Sequence, residues 1–593
     1  MTETPFSWSP CAGCACSNHN LPSHDFPPDR YSLNDPNLAR LACSNDKPSD
    51  IEVATLQIMI SSYEADIRDI NVEESRLAQF IVDMKDHISR AEKNLDALHQ
   101  ERQSISAAII ERKRILNPVR RLPVEVLLRI FRLTTTFPIP RSHSESEEEE
   151  GWDFHPPKNM LWTIGGACKP WNMIVTSFPE LWSSINIVIT DDNFGDIARS
   201  IAYSRLLGTQ LDRSRNQLLS LCIWNDDEHS SFIKLPTAIA IILFSFSTRL
   251  QNLHLYLPAQ IISEISSLHL ILPSLNELCI FPTNLGAMEH YQGLDLFHCP
   301  SLRSMHVVDV VAPLFHFQLP WTQITTFTSD SALYFEHPSG PNPRTCLRIM
   351  QMLTQLEECH LRLELGIPEG DWTGEPPPVV CSNLHVLGLS SWGFGSHMPL
   401  KELLDDLVAP ALTHLRVACC QNYTLRDSSE TFTAICGLLE RSGPAPITTI
   451  HFDHGCILKE DLFQVLKTCS TLEDVCLTDI DDGAISDETL LQLTLRVDGT
   501  TPLVPRLHTL HISGVMSFYM QVFVDMVESR WMLAHAQSPP VQRLREVNLC
   551  RFLDMENSDE PDEDEVERIT VLSALDVYRT QGLDVMFGTK VQE

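Results

Sequence analysis

The 593-residue chain lacks any apolar run of the roughly 18 residues a helix needs to cross a bilayer. Its nearest approach, Leu235 to Ser247, is too short and reads as a buried element. Basic charge is also scarce: 44 Lys and Arg stand against 78 Asp and Glu, a formal net charge of −34. That argues against a general nucleic-acid binder, which needs clustered cations for phosphate, and against docking on anionic lipid. The first residues lack the basic-then-apolar layout of a secretory signal, because Pro5, Pro10 and Cys11, Cys14 and Cys16 interrupt them. Cysteine is too sparse for a disulfide scaffold, at 18 residues mostly placed singly in apolar segments. An intracellular protein, cytoplasmic or nuclear, is therefore expected. The basic stretches Arg112-Lys113-Arg114 and Arg120-Arg121 are too short to choose between the two compartments.

Chemistry-bearing motifs are missing as well. No GxxxxGK[ST], GxGxxG or HExxH occurs, and there is no G-x-S-x-G elbow. The densest ligand-like cluster, His451-Phe452-Asp453-His454-Gly455-Cys456, would place His451 and Asp453 on one strand face and His454 just past the strand end, where polar groups are normally solvated. Cys419 and Cys420 are neighbours, and a disulfide between them would be strained. No catalytic residue, cofactor or metal is expected.

What is present is ordinary globular composition, with 43% hydrophobic and 21% charged residues, enough for roughly three to four domains. Residues 1–50, rich in Pro, Ser, Asn and Asp, read as a disordered tail. Cys11, Cys14 and Cys16, with His19 and His24, offer metal-type ligands, but no second ligand pair follows at the usual spacing. Residues 51–117 carry a heptad pattern: a positions run from Ile60 and Ile67 through Ile81, Ile88 and Leu95 to Ile109, and d positions from Tyr63 and Ile70 through Leu77, Met84 and Leu98 to Ile105. That predicts a coiled-coil helix, N-capped at Asp50 and ended before Pro118. Glu74, Arg102 and Arg112 fall at seam positions, where charge costs stability but fixes register. A helix this long cannot bury its seam alone. A homodimer through 51–116 is preferred over a helix folded back on its own chain.

Residues 118–185 form the next unit. Leu122, Val126, Leu127, Ile130 and Phe131 are expected on one helical face, with Pro123 in the first turn. The stretch His143–Glu150, with five glutamates, reads as a solvated loop inside an insertion at 138–159. A second apolar stretch runs from Leu161 through Trp162, Cys168 and Trp171 to Val175, and Phe178-Pro179-Glu180-Leu181-Trp182 closes the unit. Residues 186–555 repeat a short Leu-x-x-ϕ-x-ϕ strand (ϕ any apolar residue), starting at Leu250, Leu275, Leu302, Ile324, Leu356, Leu384, Leu412, Ile447, Leu472, Leu507 and Leu544 at intervals of 22 to 37 residues. Helix-like stretches lie between several of these, such as Cys346 to Leu353 and Phe432 to Leu439. One strand and one helix at this period is the logic of an irregular leucine-rich-repeat solenoid. Residues 556–593 are expected as an acidic loop and a terminal helix capping the array.

Leu122-Pro123-x-Glu125-Val126-Leu127-x-x-Ile130-Phe131 resembles the opening of an F-box, and Cys168-Lys169-x-Trp171 with Leu181-Trp182 its closing part. Coiled coil, F-box and irregular leucine-rich repeats in this order resemble the fungal F-box family; the insertion at 138–159 departs from it. The resemblance implies a mixed α/β chain with a long coiled-coil helix, a small helical F-box-like module and a solenoid. It further implies a substrate adaptor of an SCF-type cullin-RING ubiquitin ligase. Its partners would be a Skp-type linker subunit, held by Leu122, Pro123, Val126, Leu127, Ile130, Phe131, Cys168, Trp171, Leu181 and Trp182, and a target protein on the concave strand face. The acidic composition suits a basic target patch. The alternative is a non-catalytic scaffold in which these helices only cap the solenoid.

Overall fold

The computed structural model describes residues 35–135, 160–225, 234–282, 299–308, 318–330, 341–363, 378–391, 397–419, 425–443, 446–455, 457–480, 484–496, 502–516, 518–532, 541–553 and 573–591. Two compact units divide at Leu122.

The first unit holds α1 (Pro36–Cys43) and α2 (Asp50–Ile115). Helix α1 lies in the segment expected to be a disordered tail. Asp35 caps it, accepting from the Asn37 N–H at 2.8 Å, and Pro36 at its first position loses no hydrogen bond. Cys11, Cys14, Cys16, His19 and His24 lie outside the described residues. Helix α2 starts at Asp50, but its cap is Ser49: the Ser49 hydroxyl and the Glu52 carboxylate form a reciprocal capping box. Asp50 and Glu52 face the positive end of the helix dipole and Arg112, Lys113 and Arg114 the negative end. The helix stops at Ile115, two residues before Asn117, as Pro118 requires.

The second unit, Pro123–Glu593, opens with α3 (Val124–Leu133), α4 (Met160–Ala167), α5 (Lys169–Ser177) and the 3-10 turn Pro179–Trp182. These run into one fourteen-stranded parallel sheet. Its strands are β1 (Ser184–Ile189), β2 (Leu219–Asn225), β3 (Leu250–Leu257), β4 (Glu277–Pro282), β5 (Ser304–Val308), β6 (Thr326–Asp330), β7 (Glu358–Leu363), β9 (Val386–Ser391), β11 (His414–Cys419), β12 (Thr449–Gly455), β13 (Asp474–Ile480), β14 (Thr509–Gly514), β15 (Glu546–Leu553) and β16 (Asp584–Val591). The short strands β8 (Val379–Val380) and β10 (Leu407–Val408) pair separately. Each strand of the large sheet pairs with its predecessor and successor in the chain, so β1 and β16 form the two edges.

All eleven repeat positions read from the sequence enter strands of this sheet. In ten of them the strand starts two residues after the named Leu or Ile, β3 alone starting on it. In nine of the eleven a tight turn holds that residue, its N–H reaching the carbonyl three residues back, as in Leu302 to Cys299 and Leu472 to Cys469. The next residue's N–H then donates to its equivalent in the preceding repeat, at 2.7–2.9 Å from Asn276 onto Gln251 through to Arg545 onto His508. The turn-entry side chain is buried every time, Leu250 to Leu544.

One sheet face forms the core. Ile185, Leu221, Leu253, Leu278, Met305, Phe327, Cys359, Leu387, Leu415, Ile450, Val475, Leu510, Val547 and Val585 share one transverse register row. They pack with residues of the connecting helices, including Ala259–Ser267, Pro343–Met352 and Leu425–Ser442. Leu235–Ser247 is not wholly buried: helix Thr237–Phe246 buries Ile239 and Leu243 but exposes Ile241 and Phe244. The terminal helix expected over Val571, Leu572, Leu575, Val577 and Tyr578 is described only in part: helix Asp576–Arg579 lies there, Val571 and Leu572 lie outside the described residues, and strand β16 follows, paired in register with β15 from Asp584 to Val591. Val585 is buried and ends the core row, while Met586 and Phe587 stand exposed on this edge strand. Among the described residues no helix is long and apolar enough to cross a membrane.

Gly514 ends β14 at φ +130°, where an added Cβ would stand 2.3 Å from the Ile480 carbonyl oxygen and 2.5 Å from its nitrogen. Gly514→Ala should cost about 2 kcal/mol or more. Gly582→Ala, at φ +104° with open space around it, should cost about 1 kcal/mol. Chemical denaturation of the two variants checks the order; equal losses would remove the steric argument.

Candidate functional site

Two surfaces qualify. The first is the helical module that opens the second unit. Helix α3 has two apolar sides. Leu127, Leu128 and Phe131 point inward and are buried. Val126, Ile130 and Leu133, spaced four and three residues apart, form a second stripe that stands 42%, 41% and 68% exposed, led by exposed Pro123. The expectation of one shared face is thus corrected: an apolar residue at nearly every position lets the helix be buried on one side and remain apolar on the other.

The inner side builds a compact joint. The Phe131 ring meets half-buried Trp171 of α5 edge-on at 5.4 Å. Trp182 is fully buried, donates from Nε1 to the Val175 carbonyl at 2.7 Å and stands edge-on to Trp162 at 5.0 Å. Arg213, from helix Ile197–Ser214, lies over both indoles at 4.5–4.6 Å. Arg132 of α3 pairs with Glu180 across the turn. Of the ten residues named from the sequence, Leu127, Phe131, Leu181 and Trp182 are therefore core of this chain and offer no surface to a partner. Pro123, Val126, Ile130 and Cys168 are exposed, and Leu122 and Trp171 half-exposed. Leu122 itself ends the first unit. Sequence reasoning missed Leu133, which continues the stripe one turn on, and Met173 of α5, 68% exposed. The acidic insertion 138–159 lies outside the described residues.

The second surface is the sheet face opposite the core. Strand alternation turns two register rows to it. One reads Ser184, Ser220, Asn252, Glu277, Ser304, Thr326, Glu358, Val386, His414, Thr449, Asp474, Thr509, Glu546 and Asp584: five carboxylates and no Lys or Arg. The neighbouring row carries His254, Cys279, His306, His360, Arg416, His451, Cys476 and His511. The rows interlock. His254 Nε2 lies 2.9 Å from Glu277, and this hydrogen bond holds the Glu277 carboxyl below its usual range. His360 Nε2 meets Glu358 at 2.9 Å, its ring lying over Gly388, where a Cβ would strike it. Tyr256, Cys222 and Cys279 form a small buried cluster at one end, and burial pushes the Cys279 thiol up to about 12, away from reactive thiolate.

The His451 cluster resolves into part of this network. His451 Nε2 is 3.2 Å from the Thr478 hydroxyl, which donates to Asp453 at 2.6 Å, while Arg416 donates to the other Asp453 oxygen at 3.1 Å. Burial and nearby Arg416 push His451 down to about 4. His454 lies within β12, which runs to Gly455, rather than past its end, and its side chain and Cys456 lie outside the described residues. Cys419 is buried and Cys420 lies outside the described residues. Among the described residues no group of three His, Cys, Asp or Glu is placed to hold a metal ion.

No protein-family model matches the chain, and no curated protein matches it.

His306, buried in this row, is pushed from 6.5 down to about 3 by burial, aided by His254 and opposed by Glu277. The folded chain therefore refuses a proton that an unfolded histidine takes up below about pH 6.5. Its stabilising share is complete above that pH and declines as pH falls toward 3. From pH 7 to 5 folding stability should drop by about 2 kcal/mol through His306, and His306→Asn should flatten the drop. An unchanged slope in the variant, read by denaturant titration at each pH, would show that other groups carry the acid sensitivity.

Proposed function

We propose that this protein is the substrate-recognition adaptor of an SCF-type cullin-RING ubiquitin ligase. Helices α3 to α5 take the place of the F-box and present the stripe Pro123, Val126, Ile130 and Leu133 to a Skp-type linker. The observation that carries this reading is the stripe itself: a helix already anchored on one side by Leu127, Leu128 and Phe131 keeps a second apolar side in water. An exposed contiguous apolar surface of this kind marks a protein interface. The strand order and the repeating turn-entry Leu support an irregular leucine-rich-repeat solenoid as the target-binding part. Its polar strand face, with the Glu277, Glu358, Asp474, Glu546 and Asp584 row, suits a basic patch on the target. Helix α2 joins two copies. The chain acts inside the cell and contributes no bond-breaking group of its own; it accelerates transfer by bringing target and ligase together.

A second reading, the non-catalytic scaffold, draws on the burial of Leu127, Phe131, Leu181 and Trp182 within this chain. Val126→Asp with Ile130→Asp separates the two, because both side chains point outward and the fold tolerates the change. The wild-type chain should co-purify with a Skp-type linker and the double variant should lose it at least tenfold, with unchanged thermal stability. A wild-type chain that captures no linker favours the scaffold. Leu127→Asp is uninformative here, since it unfolds the module.

Capture of a target through the acidic row should weaken with ionic strength, measured as Kd between 50 mM and 500 mM salt. Salt-independent binding would place recognition elsewhere.

A further inference from the structure

Helix α2 spans about 100 Å at 1.5 Å per residue and has no buried residue. Its seam is exposed at Ile60 (54%) and Ile105 (54%) and half-exposed at Val53, Leu56, Tyr63 and Leu77. We propose that two copies pair through α2 in antiparallel orientation and full end-to-end overlap; this rests on the self-association within the proposed function.

Register is the first argument. In an antiparallel pair each a residue faces a partner d residue. The overlap that brings Asp50 level with the partner's Ile115 also sets every a position opposite a d position: Ile60 faces Ile105, and Ile67 faces Leu98. No residue at either end is left over.

The three charged seam residues are the second. A parallel pair stacks Glu74 on Glu74 beside two copies of Glu73, and Arg112 on Arg112 beside Lys113 and Arg114. Like charges confined to a closing seam oppose association. The antiparallel register sets Glu74 opposite Ala91, Arg102 opposite the Tyr63 ring, and Arg112 opposite Val53, one residue from Glu52.

Charge along the rod is the third. Residues 50–82 carry seven acidic and two basic side chains; residues 83–115 carry six acidic and seven basic. Antiparallel pairing lays the acidic half against the more basic half, and the Asp50 and Glu52 end beside Arg112, Lys113 and Arg114. It also opposes the two helix dipoles.

The test uses the full chain with a benzophenone amino acid in place of Ile60, prepared in normal and heavy-isotope forms that are mixed, irradiated and digested. Sedimentation velocity is run on the same mixture. A dimer whose mixed-isotope cross-links join position 60 to the peptide around Ile105 bears the proposal out. A dimer whose mixed-isotope cross-links join position 60 to the peptide around Ile60 is parallel and overturns it. A monomer at micromolar concentration, with same-isotope cross-links only, defeats the self-association reading itself.

Discussion

The hydrogen bond that opens each repeat sets the frame for the rest of the second unit. A turn-entry Leu or Ile buries its side chain, and the following N–H donates to its counterpart one repeat back. That bond fixes register, and register in a parallel sheet fixes which side chains share a row. Once the apolar row is committed to the helices, the rows of opposite parity face the other way along the whole sheet. The carboxylate row from Glu277 to Asp584 and the His–Cys row beside it are thus consequences of the turn. Repeats of unequal length change the helices between strands but leave the first ladder bond in place.

This explains what could be read in advance. The eleven repeat strands were legible because the turn-entry Leu and the alternating apolar residues lie within six positions of each other. Strands β1 and β2 were not, since Ser184–Ile189 and Leu219–Asn225 lack that opening. Strand β16 carries no such opening either, since Asp584–Val591 follows the short helix Asp576–Arg579 without a turn-entry Leu of the repeat pattern. The α2 cap was displaced by one residue: Asp50 and Ser49 both favour the position, and only the Glu52 carboxylate returning to Ser49 distinguishes them. On α3 the sequence could not divide the apolar residues, because Val126 and Leu127, or Ile130 and Phe131, differ by a single step around the helix. Which of each pair turns inward is decided by Trp171 meeting Phe131, a contact between segments some forty residues apart.

Helices α2 and α3 present unburied apolar surface of two kinds. The α3 stripe is short and rigidly backed, since Trp182, Trp162 and Arg213 lock the turn beneath it. Such a surface suits a preformed groove on another protein, with little ordering cost on this side. The α2 seam is periodic and runs the length of the helix, the form of surface that a second helix of matched period would cover. Each seam Ile or Leu would contribute about 1.5–3 kcal/mol once buried, so the proposed pairing would have ample driving force and its orientation would rest on the few charged layers.

The two surfaces constrain each other through the chain itself. Only residues 116–122 separate the end of α2 from Pro123, at most roughly 28 Å of extended backbone. In a parallel pair the two α3 stripes would be tethered side by side, free to cover one another and compete with any linker. The proposed antiparallel pairing would start the two tethers at opposite ends of a rod of about 100 Å, so that tethers of this length could not bring the stripes together. In the proposed arrangement, self-association and linker binding would not compete for the same apolar surface, and both strand faces would stay open to a multivalent target.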